Sequence, residues 1–302
     1  MSYYRLGPLL RERRVSLGYT QEELADGICA VNTLSRYENG ERTPKKDHLE
    51  QLMQRLGLSD FIFDTYLDEK TFRLHELKYQ IRQAIMENRR ADAVPLLNEY
   101  EALTTAENKI SKLFLMLYRG ILNRAPAETE RLALFESAIT LTCPQYNNGH
   151  FPQILSYEEI ILLNQIAASQ FRLGNMDSAI RILMDVNKFY DRAVVNREEV
   201  LRTQPMILYN LTKYLGNAGR YSECIAFCDQ SIRIAQNTGR AFLLCATYYN
   251  KAWSLEKRNC PGDLDAAKSA ALLARHTAIC MGQNDLLVPT ELFLAEHFGI
   301  VY

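Results

Sequence analysis

The chain has 302 residues, a formal net charge of −1, and a composition of 47% hydrophobic and 24% charged residues. This length accommodates one small and one large domain, and no tract is of low complexity. No apolar run approaches the roughly 20 residues needed to span a bilayer, and Met1-Ser2-Tyr3-Tyr4-Arg5 lacks the apolar core of a signal peptide, so a cytoplasmic protein without membrane association is expected.

Residues 1–60 hold nine Lys/Arg and nine Asp/Glu, but the basic ones are grouped: Arg11, Arg13 and Arg14, then Arg36, Arg42, Lys45 and Lys46. Such a balance predicts weak non-specific affinity for nucleic acid without excluding specific binding. Apolar residues recur at helical spacing and Val/Ile/Thr alternation is nearly absent, so the chain reads as all-α. The first helix is expected over Tyr4–Leu17, ending at Gly18. Thr20 with Glu23 forms a capping box for a second helix over Gln21–Ile28. A third is expected over Asn32–Asn39, a fourth over Asp47–Leu56 ending at Gly57, and a fifth over Phe61–Tyr66, closing a small domain at residues 1–66.

From residue 67 to 302 the helices lengthen and a repeat emerges. An apolar helix leads to Gly174, Gly219 or Gly262, and a second helix opens with a small residue five positions later: Ala179, Cys224 and Ala267. This resembles the tetratricopeptide repeat, in which small residues let paired helices approach closely. The glycines are 45 and 43 residues apart, longer than the usual period of about 34, so the helices or connections must be extended. Asn88-Arg-Arg-Ala-Asp-Ala93 fits more loosely, as does the stretch around Arg124-Ala-Pro126. Cys143–Ser156 reads as one long loop and Asp285–Phe298 as a capping helix. The expected architecture is a five-helix head followed by an α-solenoid.

The head carries ordered landmarks: Leu6-Gly7, Leu10-Arg11, Gly18-Tyr-Thr-Gln-Glu-Glu-Leu-Ala25, Leu34-Ser-Arg-Tyr-Glu-Asn-Gly40 and Pro44. Residues 6–56 thereby resemble the Xre/Cro-type helix-turn-helix family, which implies a double-stranded DNA operator as partner. Asn32, Thr33 and Arg36 share one face of a short helix that could enter a major groove, while Leu24, Ile28 and Leu34 supply the buried side. Arg36 is the foremost base-reading candidate, because a guanidinium can donate two parallel bonds to guanine. Asn32 and Thr33 follow, and Val31 could touch a thymine methyl. Thr20, Gln21, Asn39, Arg42 and Lys45 are candidates for phosphate contacts. Arg11 and Arg13 could equally be a solvated face. Glu38 is acidic on a DNA-facing element, and the resemblance implies that it pairs with Arg14 inside the domain.

The turn from Asp26 to Thr33 is one residue shorter than the common form of this motif. With the repeats and the chain length, it is similar to the PlcR/PrgX/Rgg group of quorum-sensing regulators. That resemblance implies a homodimer whose repeats bind a short signalling peptide and so alter the dimer's operator binding. Alignment on the turn glycines puts Asn164, Gln165, Asn210 and Asn250 at one level of the inner helices, with Lys213, Asn217 and Trp253 a turn on. An asparagine can offer a donor and an acceptor to an extended peptide backbone. The competing reading makes these inter-helix or solvated amides and Trp253 a core residue.

An enzyme is not expected. The five histidines are isolated, and no HExxH, GxSxG, P-loop or dinucleotide motif occurs. Seven cysteines, at 29, 143, 224, 228, 245, 260 and 280, form neither a CxxC pair nor a zinc spacing, so reduced thiols and no metal or other cofactor are expected. A DNA-tethered adaptor whose repeats bind a partner protein stays open as an alternative.

Overall fold

The computed structural model describes residues 6–58, 69–105, 107–123, 127–146, 154–190, 201–239 and 241–302. The described residues are helical, without a strand. Four helices build the head: α1 (Leu6–Ser16), α2 (Gln21–Ala25), α3 (Val31–Glu38) and α4 (Lys46–Leu56). Eleven follow: α5 (Glu69–Met86), α6 (Arg90–Leu103), α7 (Lys109–Leu122), α8 (Glu128–Ile139), α9 (Tyr157–Arg172), α10 (Met176–Tyr190), α11 (Gln204–Asn217), α12 (Tyr221–Thr238), α13 (Leu244–Arg258), α14 (Asp263–Met281) and α15 (Asn284–Phe298). The fifth head helix expected at 61–66, the turn at 124–126 and much of the loop at 143–156 lie outside the described residues.

Two compact units divide the chain: Met1–Ser169 with Phe189–Leu201, and Gln170–Lys188 with Arg202–Tyr302. In the first, the head core is built from Leu10, Leu17, Tyr19, Leu24, Leu34, Tyr37, Leu52, Met53 and Leu56, and Ile154 joins it from just before α9. α4 also packs on α7, so the head and the first repeat helices share this unit. α2 stops at Ala25, three residues before the expected end. Asp26 turns out of the helix (φ −53°, ψ 125°) and Gly27 takes φ +70°. Besides permitting that turn, Gly27 leaves space the chain uses: a Cβ there would lie 2.2 Å from the Thr142 carbonyl oxygen.

The repeat pattern is realised in packing. α11 lies against α12 and α13, α13 against α14, and α14 against α15, a stacked-pair arrangement within the second unit. Ala179, Cys224 and Ala267 are all fully buried at the openings of their helices, where any larger side chain would push the paired helix away. The looser early repeat follows the same rule with a different residue. Asn88 adopts φ +58° where the later repeats use glycine, and Ala93, five positions on, is fully buried. Asparagine tolerates the left-handed region better than other side chains. Close approach of α7 to α8 rests on Gly120, whose Cβ would lie 2.3 Å from the buried Phe135 ring. No helix among the described residues is long and apolar enough to cross a membrane.

Candidate nucleic-acid interface and repeat surface

The head is organised around one buried carboxylate. Glu38 is 2% exposed, and Arg14 donates to it from Nε at 2.6 Å and from Nη2 at 2.8 Å. Arg14 Nη1 also donates to the Tyr19 carbonyl at 2.7 Å, and Gln21 Nε2 donates to Glu38 Oε2 at 2.8 Å. Burial alone would push the Glu38 carboxyl up, but the Arg14 and Gln21 hydrogen bonds and the neighbouring guanidinium hold it below its ordinary range. The Arg14 guanidinium is correspondingly raised, chiefly by its hydrogen bond to Glu38. One carboxylate thus ties α1, the α2 N-terminus and α3 together, of which the resemblance implied only the Arg14–Glu38 pair.

That network assigns Gln21 a role the sequence did not show. Its side-chain amide donates one hydrogen to Glu38, leaving the second and the backbone N–H, at a helix N-terminus, for a phosphate. Thr20 is similarly engaged: Glu23 N–H donates to its Oγ1 at 3.1 Å while Thr20 N–H donates to the Glu23 carboxylate at 2.9 Å. Arg13 is part of the scaffold, donating from Nε to the Leu56 carbonyl at the end of α4 at 3.1 Å.

Along α3, Asn32 and Arg36 are exposed and Thr33 is half-buried on the same side, while Leu34, Tyr37 and Glu38 face inward. Val31 is half-buried and packs against the head core, which leaves it less free to meet a base than its sequence position suggested. Asn39, Arg42 and Lys45 are exposed, and Asn39 Nδ2 donates to Glu41 Oε1 at 3.3 Å. His48 lies behind them, its Nδ1 3.0 Å from the Tyr37 hydroxyl. Burial, then the charge of Lys45, lowers the imidazole pKa from 6.5, favouring the neutral ring.

Sequence inspection missed Arg55. This side chain, 3% exposed, sits on α4 and donates from Nη1 to the carbonyls of Leu24, at 3.3 Å, and Asp26, satisfying the C-terminal end of α2. Its Nη2 lies 3.9 Å from Glu159, which accepts the Ser156 N–H at 2.7 Å. A single arginine therefore links the helix-turn-helix to the start of α9. The hint in the sequence is a charged residue that helical phase places beside Leu52 and Leu56.

The expected peptide residues fall in both units. Asn164, in the first, is buried at 4% exposure and Gln165 is half-buried. In the second, Asn210, Lys213 and Asn217 follow one another at helical spacing on α11, the latter two exposed. Asn217 Nδ2 donates to the Lys213 carbonyl of its own helix at 2.8 Å. Lys213 Nζ stands 5.9 Å from the Phe171 ring, which stacks on Tyr214 at 4.2 Å. Asn250 Nδ2 donates across to Thr212 Oγ1 at 3.1 Å, an inter-helix bond that leaves its carbonyl oxygen available. Trp253 is half-buried, edge-on to Tyr221 at 5.8 Å and above Gly216, whose Cβ would lie 3.2 Å from the indole. Those contacts give it a packing role at the α11–α13 crossing.

All seven cysteines are free thiols, and Cys224 accepts a hydrogen bond from Ser254 Oγ at 3.0 Å inside the helix packing.

A helix-turn-helix head with an exposed third helix, joined to stacked helical pairs, defines the class of DNA-binding transcription regulators. Residues 10–62 match the helix-turn-helix family model, and residues 125–271 match that of the RNPP family C-terminal domain. The chain belongs to the RNPP family of helix-turn-helix regulators. It shares its fold with PlcR from Bacillus thuringiensis in the apo form, at 16% identity and a TM-score of 0.60 over 95% of this chain and 98% of that one. PlcR in complex with the peptide PapR7 and DNA gives 18% identity and a TM-score of 0.56, covering 94% and 99%. ComR from S. thermophilus, in complex with DNA and its signalling peptide ComS, gives 14% and 0.51, covering 98% and 100%. No curated protein matches the chain by sequence.

Proposed function

We propose that this chain is a sequence-specific, peptide-sensing transcription regulator that acts as a cytoplasmic homodimer and has no catalytic activity. Residues 1–66 form its DNA-binding domain and residues 67–302 its sensor and dimerisation domain. The observation that carries the reading is the α3 face of exposed Asn32 and Arg36 and half-buried Thr33, on a head whose buried Arg14–Glu38 pair fixes its orientation. Arg36 reads a guanine, Asn32 and Thr33 read neighbouring base edges, and Val31 adds at most a methyl contact. Arg42, Lys45, Asn39, the Gln21 backbone and Thr20 hold phosphates.

The family C-terminal domain and the peptides bound to PlcR and ComR support peptide sensing by the repeats. On the second unit, the α11 face of Asn210, Lys213 and Asn217, with the free Asn250 carbonyl, offers donors and acceptors to an extended backbone, and Trp253 supports that wall. Asn164 and Gln165 lie on the first unit, apart from that face, and Asn164 is buried.

The test is a titration of the full chain against DNA from upstream of its own gene, with and without synthetic peptides encoded nearby. A peptide that changes operator affinity by roughly fivefold or more fits typical coupling energies. Operator binding indifferent to every such peptide, with a partner protein co-purifying instead, would overturn peptide sensing.

A further inference from the structure

Between the head helix α4 and the repeat helices α5, α6 and α7 lies a cavity of about 110 Å³, confined to the first unit. Met53, Leu74, Leu103 and Ile110 supply its apolar lining, among polar and charged side chains. Lys78 reaches over aromatic rings, its Nζ 5.8 Å from the Tyr100 centroid and 5.5 Å from that of Phe114. Among the described residues it makes no ion pair or hydrogen bond, although the cavity is lined by a carboxylate. That carboxylate, Glu50, is held by Asn108 Nδ2 at 2.7 Å.

Lys46 completes a lining in which two lysines face one carboxylate, with His75 beside them. The first turn of α7 adds to this, because it contains no acidic residue and a helix start favours negative charge. A half-buried ammonium with no ion pair or hydrogen bond among the described residues, beside apolar side chains, favours an amphiphilic anion over a fully hydrated one. Size narrows the choice. An apolar cavity of about 150 Å³ holds benzene, so this one suits an alkyl body of about four carbons.

We propose that this cavity binds a short-chain carboxylate, with its alkyl chain against Met53, Leu74, Leu103 and Ile110 and its carboxylate on Lys78. An occupant would touch both α4 of the head and the helices that follow, so its binding would be linked to how firmly the head is held. The site stands apart from the operator and the peptide, and its test uses neither.

The probe is valerate, titrated into the full chain by calorimetry or ligand-observed NMR, with valeramide as the uncharged control. Saturable one-site binding in the millimolar range is expected, at least about tenfold weaker for valeramide and for Lys78→Met. Leu74→Trp, which fills the apolar end, should abolish binding while circular dichroism shows an intact helical fold. No saturable binding of valerate, or binding undiminished in either variant or for valeramide, would overturn the assignment.

Discussion

Replacing Glu38 tests whether the buried carboxylate organises the head. In Glu38→Ala three donors lose their acceptor at once: Arg14 Nε at 2.6 Å, Arg14 Nη2 at 2.8 Å and Gln21 Nε2 at 2.8 Å. The guanidinium, 9% exposed as a residue, would retain only the Tyr19 carbonyl. Removing one partner of such a buried pair costs about 3–5 kcal/mol, because the remaining charge is uncompensated. Glu38→Gln keeps the shape and one acceptor and should cost about 1.5–3 kcal/mol. The double variant Arg14→Met/Glu38→Leu removes both charges and should return to within about 1 kcal/mol of the parent chain. Urea unfolding of the full chain, followed by circular dichroism and by the fluorescence of a reporter on the head, yields these differences as a double-mutant cycle. Operator affinity should fall with stability in Glu38→Ala and recover in the double variant if α3 regains its orientation. A loss below about 1 kcal/mol in Glu38→Ala, or additive single effects, would show that the pair does not hold the head together.

Gly7→Ala should destabilise by about 1–3 kcal/mol in the same assay despite alanine's better helix propensity, because its Cβ would lie 2.3 Å from the Tyr37 carbonyl oxygen and 2.8 Å from that of Glu38. Arg36→Ala should lower specific operator affinity by about 1–3 kcal/mol and relax preference at one base pair without changing unfolding, measured by fluorescence anisotropy on operator variants. Acid should weaken the fold in two steps. The folded pKa of His48 is lowered from 6.5, so the unfolded chain takes up the proton first, and stability present above pH 6.5 falls as the pH drops below it. Glu38 is lowered from 4.5, so its contribution persists above that value and is lost below it. Unfolding measured against pH should lose the upper step in His48→Gln, and an unchanged profile would contradict it.

Much of the head was legible locally. The Thr20–Glu23 capping box, the glycines ending α1 and α4, and the inward Leu24, Ile28 and Leu34 all follow from short-range geometry, which sequence spacing encodes. So were the repeats, since their small residues recur at fixed offsets and each is fully buried. The Gln21–Glu38 bond, the Arg55 link to the α2 carbonyls and to Glu159, and Ile154 in the head core join residues far apart in the chain. No periodicity announces such pairings.

The exposure of the binding candidates divides in the same way. That Asn32 and Arg36 face outward was implied by helical phase alone. That Asn250 is bonded to Thr212, Trp253 packed over Gly216 and Asn164 buried was decided by which helices cross, and at what height. The sequence by itself determined the class of protein, through caps, turns and small residues that act within a few positions. The tertiary structure decided which polar side chains are occupied in holding helices together and which remain free for a ligand. A hydrogen bond depends on where its partner lies in space, and that is set only once the helices have packed.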